Sequence, residues 1–208
     1  MKVILPSYEI LTTLDKEIIF PFMERIARTC YKSEDLASEG SAERILKNLI
    51  KNGHEAMIEF FDITVKFTCN RGFSHEMVRH RLCSFSQEST RYCNYSSDKF
   101  GNEITVIQPA WIGKGNETAE ILWLDAMKSA EDFYFKALEQ GLKAQDARGM
   151  LPIDLKTELN VKANIREWRA IFKLRTTEAA HPSMRELMIP LLTEFKSKLP
   201  VLFDDIVF

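Results

Sequence analysis

Side chains able to bind an anion are concentrated in residues 70–95, which read NRGFSHEMVRHRLCSFSQESTRYCNY. An arginine guanidinium presents a planar fork of donors that matches phosphate and imide oxygens in pairs, which the point charge of lysine does not. The stretch also offers serine, threonine and amide groups as further hydrogen-bond partners. This density of donors predicts a binding site for an anionic ligand. The four arginines and two histidines are Arg71, Arg79, Arg81, Arg91, His75 and His80.

Three of these residues, Arg79, His80 and Arg81, are consecutive and allow two interpretations. On a helix they would fan over roughly 200° at 100° per residue. One flat phosphate could not engage all three, but an extended anionic ligand or two separate ligands could. Adjacent basic residues on a helix are more often a solvated face. The polar, turn-prone run 86–92 that follows them favours a binding site instead.

The spacing of these residues resembles the signature of the flavin-dependent thymidylate synthases. Arg79-His80-Arg81, seven further residues and then Ser89 match it, and the match continues through Arg91-Tyr92. The resemblance covers roughly residues 41–190. Flanking residues that resemble family positions in the same order are His54 after Gly53, Arg148 ahead of Leu151-Pro152, and Asn164 and Arg166 ahead of Leu174-Arg175.

Length and charge limit the class of protein. A chain of 208 residues can bury one sizeable core, so we expect a single domain spanning 1–208. The formal net charge of −2 argues against binding of nucleic-acid polymers, and the basic residues concentrate at 71–91 and 162–175. The sequence shows neither an apolar run long enough to span a membrane nor a basic-then-apolar leader. We therefore expect a cytoplasmic protein with no membrane segment.

The four cysteines give no sign of a metal site. Cys30, Cys69, Cys83 and Cys93 lack Cys-x-x-Cys spacing and have no paired histidines nearby, so zinc is not expected and the thiols should be reduced. Cys83 and Cys93 lie within residues 70–95 and could act as nucleophiles. A role as small, half-buried side chains is the favoured interpretation.

The hydrophobic pattern predicts an α+β fold with a mostly antiparallel sheet flanked by helices. Residues 59–70 alternate between apolar and polar side chains, which is typical of a half-buried strand. Ser74 is then expected to cap a helix from His75 to about Leu82, and this short helix would carry Arg79 to Arg81.

The remaining elements follow from the same periodicities and from cap residues. Pro21 is expected to set the start of the first helix, and Ser41 that of the second. Asn164, with Glu167 three residues later, forms a capping-box signature. Further strands are predicted at 2–5, 103–108 and 157–163, and helices at 18–30, 41–52, 117–140, 144–150, 165–174 and 183–198.

The resemblance implies a homotetramer in which FAD and dUMP lie in pockets shared between subunits. This agrees with the lack of a Gly-x-Gly-x-x-Gly fingerprint, because the flavin must then be held by side chains. By the family match, the FAD contacts would be His54, Arg79, His80, Arg81, Gln87, Asn164 and Arg166. The dUMP contacts would be Glu76, Arg79, Ser89, Arg91, Arg148 and Arg175.

The implied reaction is the reductive methylation of dUMP to dTMP. NADPH reduces FAD, methylenetetrahydrofolate supplies the one-carbon unit, and the reduced flavin delivers a hydride. No enzyme nucleophile is required if the uracil ring is polarised, and we expect Arg175 to do this by favouring the ionised N3 edge. Ser89 has no obvious base in the sequence, so a hydrogen-bonding role is expected for it.

Three positions depart from the family pattern and affect individual FAD contacts. Ala56 stands where many relatives carry a hydroxyl, Phe60 rather than a histidine follows Glu59, and Ala170 replaces a frequent polar flavin contact.

Two other functions remain open. One is a different flavin or nucleotide enzyme on the same scaffold, and the other is a non-catalytic RNA-binding module that would keep the arginines without a flavin.

Overall fold

The two longest strands lie where the alternating patterns predict them. The computed structural model describes residues 1–97 and 101–208. Strand β3 (Asp62–Asn70) and strand β6 (Lys156–Asn164) each bury every second side chain. β3 begins at residue 62 rather than 59, because residues Ala56–Phe60 form a 3-10 helix.

The described strands form two sheets. β1 (Lys2–Ile4) and β5 (Thr105–Ile107) pair in parallel, with Lys2 opposite Thr105. β2 (Ser7–Ile10) and β4 (Ser84–Gln87) join β3 and β6 in a four-stranded sheet of order β2-β3-β6-β4. The α+β class with an antiparallel sheet is confirmed. β2 and β4 were not predicted, because four residues are too few to show a clear alternation.

The helices largely follow the predicted ranges. The long helix α4 is bounded as expected by the Asn116 cap and by Gly141, whose φ of 87° suits glycine. The α-helices are α1 (Lys16–Thr29), α2 (Ser41–Lys51), α3 (Arg71–Met77), α4 (Glu117–Glu139), α5 (Ala144–Ala147), α6 (Ile165–Arg175), α7 (Pro182–Lys198) and α8 (Pro200–Phe203). Further 3-10 helices lie at Glu34–Leu36 and Arg148–Met150. No helix of the described residues is both long and apolar enough to cross a bilayer.

Two predicted helix starts are wrong. α1 begins five residues before Pro21, because the Asp15 carboxylate accepts the backbone N–H of Glu17 at 2.9 Å. α2 is capped by Gly40 with φ 69°, and Ser41 is its first residue. The Ser41 hydroxyl instead donates to the buried Glu24 carboxylate.

The predicted helix 75–82 is also wrong, and this changes the setting of the Arg-His-Arg cluster. Asn70 outcompetes Ser74 as the cap, since its Oδ1 accepts the backbone N–H of Phe73 at 2.8 Å. α3 therefore starts at Arg71 and ends at Met77. Residues 79–81 follow the helix in a turn rather than lying on it.

The chain divides into two compact units. The first comprises Met1–Ser7, Phe67–Arg79 and Phe85–Asn160, and the second comprises Tyr8–Lys66, His80–Ser84 and Val161–Phe208. That both belong to a single domain stays a prediction. The first unit packs a core of Tyr95, Ile104, Val106, Met127, Tyr134, Ala147 and Leu155. The second contains a cluster of aromatic rings in van der Waals contact, formed by Trp168, Phe172, Phe195 and Phe203.

Candidate functional site

The first unit holds a positively charged pocket of about 300 Å³. Arg71 and His75 reach it from α3, and Arg148 reaches it from the start of its 3-10 helix. Among the described residues, the lining includes no carboxylate; Thr90 and a largely apolar wall (Gly149, Leu151, Pro152, Ile153 and Leu155) complete it. Two guanidinium groups in one small pocket suit an anionic group such as a phosphate.

The two arginines of this pocket are held differently. Arg71 Nη1 donates to Thr157 Oγ1 at 3.3 Å and to the Glu88 carbonyl at 3.5 Å. Arg148 is exposed, and its Nη1 reaches Thr90 Oγ1 at 3.5 Å, the outer limit of a hydrogen bond. Arg71 is therefore preset by the scaffold, whereas Arg148 can adjust to a ligand.

Arg71 is a pocket residue that the sequence pattern did not single out. Arg148 was predicted to contact the nucleotide, but Arg71 was noted only as part of the basic stretch. The signal that could have found it is Asn70, which is at least as good a helix cap as Ser74. Placing the cap at Asn70 puts Arg71 at the first position of α3, directly after a buried strand.

The other predicted residues of the first unit lie outside this pocket lining. Gln87 Nε2 donates to Ser74 Oγ at 2.9 Å and to Thr157 Oγ1 at 3.3 Å, so it braces α3 against β6. Ser89 accepts the backbone N–H of Arg91 at 3.3 Å within a turn. The exposed Arg91 lies 5.6 Å from the ring centroid of Tyr92. Glu76 is half-buried on α3, and Arg79 is exposed just beyond it.

In the second unit the structure brings together His80 and Arg175, which the family match places on different ligands. Arg175 is the last residue of α6, and its Nε donates to His80 Nε2 at 3.0 Å. The start of α6 is set as predicted, because Asn164 Oδ1 accepts the backbone N–H of Glu167 at 2.9 Å. Burial, and then the Arg175 cation, lower the pKa of His80. His80 is thus neutral at physiological pH.

A second pocket, of about 480 Å³, lies beside α6. Asn164 and Arg166, both predicted FAD contacts, line it together with Ala170, one of the departures from the family pattern. Arg166 is paired with Glu59 and, at 3.5 Å, with Glu55. The remaining lining residues are Glu59, Leu82 and Glu167.

The donor set of this second pocket fits part of an FAD molecule. Asn164 Oδ1 is engaged by its helix, so its Nδ2 is the group that can donate to a ligand. The Arg166 guanidinium suits a pyrophosphate, and the volume falls within the range of about 300–1,000 Å³ common to ligand sites. An anionic ligand must displace Glu59 from Arg166. The predicted contacts His54 and Arg81 are exposed and lie outside the lining.

Cys83 and Cys69 show no features of nucleophiles. Burial, together with the nearby Glu167 charge, raises the pKa of Cys83 to about 12, and burial raises that of Cys69 to about 12. Both are therefore protonated thiols at physiological pH. Within residues 1–97 and 101–208, no three histidine, cysteine or acidic side chains are grouped closely enough to hold a metal ion.

Each of the two pockets presents at least one guanidinium group of the kind that suits anionic ligands, and the sequence has no dinucleotide-binding glycine loop. The family described as Thymidylate synthase complementing protein matches residues 20–201. This match covers most of the chain, and the signature residues Arg79 to Ser89 fall inside it. The chain therefore belongs to the flavin-dependent thymidylate synthase family.

Individual relatives agree with this assignment, and a solved structure shares the fold. The chain is 32% identical over 168 residues to a flavin-dependent thymidylate synthase of Pyrococcus furiosus, covering 80% of this chain and 68% of the relative. It is 31% identical over 186 residues to one of Geobacter sulfurreducens, covering 86% and 78%. The fold is similar to the UMP/dUMP methylase PolB of Streptomyces cacaoi bound with 5-Br dUMP. That likeness has a TM-score of 0.81 at 18% identity, over 98% of this chain and 96% of the other.

Proposed function

We propose that this chain catalyses the reductive methylation of dUMP to dTMP, using methylenetetrahydrofolate and NADPH as co-substrates and FAD as cofactor. The observation that carries the proposal is the pocket of Arg71 and Arg148. This pocket of about 300 Å³ presents two guanidinium groups that suit a phosphate, in a chain that belongs to a family of flavin-dependent thymidylate synthases.

The nucleotide is bound mainly through its negative charge. Arg148 closes on the phosphate, and Arg71, fixed by Thr157, adds a second guanidinium. The turn around Ser89 and the exposed Arg91 supply hydrogen bonds at the pocket's edge. Glu76, Arg79 and Arg175 complete the proposed dUMP contacts.

FAD is held by side chains, with Asn164 and Arg166 as its anchors in the pocket beside α6. When bound there, FAD would supply the redox chemistry that carries a hydride from NADPH to the one-carbon unit. Glu59 must release Arg166 as the flavin's anionic groups enter. The other proposed FAD contacts are His54, Arg79, His80, Arg81 and Gln87.

Arg175 has the central role in activating the pyrimidine. Its cation stabilises negative charge on the N3 edge of the uracil, which makes C5 nucleophilic toward the methylene carbon of the folate. A bond forms between C5 and the methylene carbon, loss of the C5 proton breaks the bond from that carbon to the folate nitrogen, and a hydride then reduces the exocyclic methylene to a methyl group. Tetrahydrofolate and dTMP are the products, so the step needs no enzyme thiol.

The proposal includes a homotetramer with shared sites and a cytoplasmic location. Two observations support an assembly. The sequence lacks a glycine-rich fingerprint that would hold FAD within one chain. In addition, α4 exposes large apolar side chains at Ile121, Leu122 and Phe133, as helices that pack in assemblies do.

The test is to purify the protein, identify any bound flavin after denaturation, and assay dTMP formation. The assay supplies dUMP, methylenetetrahydrofolate and NADPH, with UMP in place of dUMP as a comparison. We expect bound FAD and dTMP that depends on all three substrates. Arg148→Ala should lose methylation while Arg44→Ala, an exposed arginine of α2, should not.

Two results would reject the proposal. Bound FAD without methylation of dUMP indicates a different flavin enzyme on this scaffold. Absence of flavin together with tight binding of single-stranded RNA indicates a non-catalytic binding module. Methylation of UMP in preference to dUMP would keep the reaction type and change the substrate.

A further inference from the structure

The carboxylate of Glu167 lies against His80. Its Oε1 is 3.7 Å from His80 Nδ1, and the two side chains are only 13% and 9% exposed. In a capping box this carboxylate would instead turn back toward the backbone N–H at the start of its own helix. Burial raises the pKa of Glu167, because the charged carboxylate loses solvation free energy in this half-buried position.

The proton on His80 can be placed from its partners. Arginine only donates hydrogen bonds and stays protonated, so His80 Nε2, at 3.0 Å from Arg175 Nε, must be the acceptor. The single proton of the neutral imidazole is then on Nδ1. This is the nitrogen that faces Glu167. Donation thus runs from Arg175 to His80, and His80 Nδ1 lies 3.7 Å from a carboxylate oxygen, an electrostatic contact rather than a hydrogen bond.

We propose that Glu167 is a positioning residue for Arg175: it keeps the His80 proton on Nδ1, which preserves Nε2 as the acceptor that orients the guanidinium. The inference rests on the proposed function of Arg175 and adds a residue to that site. Cys83 is another titratable group near Glu167, and as a thiol it carries no charge at physiological pH.

Removal of the carboxylate has a defined consequence. The imidazole is then able to move its proton to Nε2, where an N–H faces the N–H of Arg175. Two donors repel each other, so the guanidinium loses the hydrogen bond that orients its Nε toward His80. A displacement of about 1 Å at a reacting group can cost up to about a hundredfold in rate.

The experiment compares Glu167→Ala, Glu167→Gln and the wild type. Nitrogen-15 NMR of the histidine side chains reports the tautomer directly, and only four histidines need to be assigned. We expect Nδ1–H at His80 in the wild type and in Glu167→Gln, because the glutamine still places a partly negative oxygen near Nδ1. In Glu167→Ala a share of Nε2–H should appear. The kcat for methylation should fall roughly ten- to a hundredfold in the Ala variant and less in the Gln variant.

The matched control is Glu17→Ala, which removes an exposed first-turn glutamate from α1. It should alter neither the tautomer nor kcat. An Nδ1–H tautomer that persists unchanged in Glu167→Ala would overturn the inference, whatever the activity. A tautomer shift in protein that does not methylate dUMP would uphold the positioning and reject the proposed function instead.

Discussion

At the scale of single residues, the role of Arg175 can be tested sharply, because a substitution can keep the charge of its side chain while changing the shape. Arg175→Lys keeps the cation but loses the planar fork and the Nε donor to His80. We expect methylation to slow by about a hundredfold or more, which corresponds to roughly 2.7–4 kcal/mol of transition-state stabilisation. Single-turnover methylation of dUMP and flavin reduction by NADPH should be measured side by side.

Flavin reduction does not involve the uracil, so it should change far less than methylation in Arg175→Lys. Arg44→Lys on the exposed face of α2 is the matched control. Near-wild-type methylation by Arg175→Lys would defeat the assignment. An equal fall in both half-reactions would point to a folding defect.

Arg71 should contribute to nucleotide affinity although no sequence motif marked it. A hydrogen bond to a charged group is worth about 1.5–3 kcal/mol, so Arg71→Ala should raise the KM for dUMP roughly 10- to 100-fold. Steady-state kinetics with varied dUMP provide the measurement, with Arg25→Ala on the exposed side of α1 as control. An unchanged KM would mean that Arg71 only braces Thr157 and Glu88.

The thiols should be dispensable. Cys83 is protonated at physiological pH, with a pKa raised to about 12, and the proposed chemistry uses no enzyme nucleophile. The double variant Cys83→Ala and Cys93→Ala should retain FAD and methylation. If it keeps its fold and flavin but makes no dTMP, a thiol mechanism must be considered.

At the scale of elements, α6 is tied to the carboxyl-terminal residues by a buried arginine. Arg169 is 2% exposed, and its guanidinium nitrogens contact both carboxylate oxygens of Asp205 at 2.7 Å. It also contacts the Leu202 carbonyl and, at 3.3 Å, Glu55. Arg169 therefore belongs to the scaffold, although the sequence grouped it with the basic stretch 162–175.

Asp205→Asn should lower the free energy of unfolding by about 1–3 kcal/mol. The loss stays below the 3–5 kcal/mol typical of a broken buried pair, since the Asp205 side chain is 48% exposed and Arg169 keeps its other partners. Urea denaturation measures the change. Asp204→Asn, at the exposed neighbouring position, should leave the free energy of unfolding unaltered.

The same pair predicts a direction for the effect of pH. Hydrogen bonding to Arg169 lowers the pKa of Asp205 below its ordinary value of 3.8. The stabilisation is therefore complete above the unfolded-state pKa and is lost as pH falls through the lowered folded-state pKa. The difference between wild type and Asp205→Asn should shrink on acidification. A difference that grows in acid would contradict this reading of the pair.

At the scale of the whole molecule, flavin retention should depend on assembly. If the FAD sites are shared between subunits, dilution should release flavin and dissociate the tetramer together. Native mass spectrometry and flavin fluorescence across a dilution series test this. A monomer that retains FAD fully in dilute solution would contradict the shared site.

The accuracy of the element predictions depended on their length. β3, β6 and α4 are long enough for several repeats of their pattern, so periodicity located them. The short β2 and β4 are held by neighbouring strands rather than by a pattern of their own. The predicted start of α3 was wrong because two residues, Asn70 and Ser74, could cap it. The choice between them depends on the backbone geometry that the preceding strand imposes.

The sequence by itself determined the family, the long elements and the concentration of guanidinium groups, because each is encoded in local spacing or residue type. Only the tertiary structure decided which of those groups meet. Arg175 and His80 are 95 residues apart, and no local periodicity links them. Arg71 and Arg148 likewise share a pocket only because α3 and a 3-10 helix that is distant in sequence pack within one unit. Contacts of this kind arise from long-range packing of buried surfaces, which a single sequence does not display.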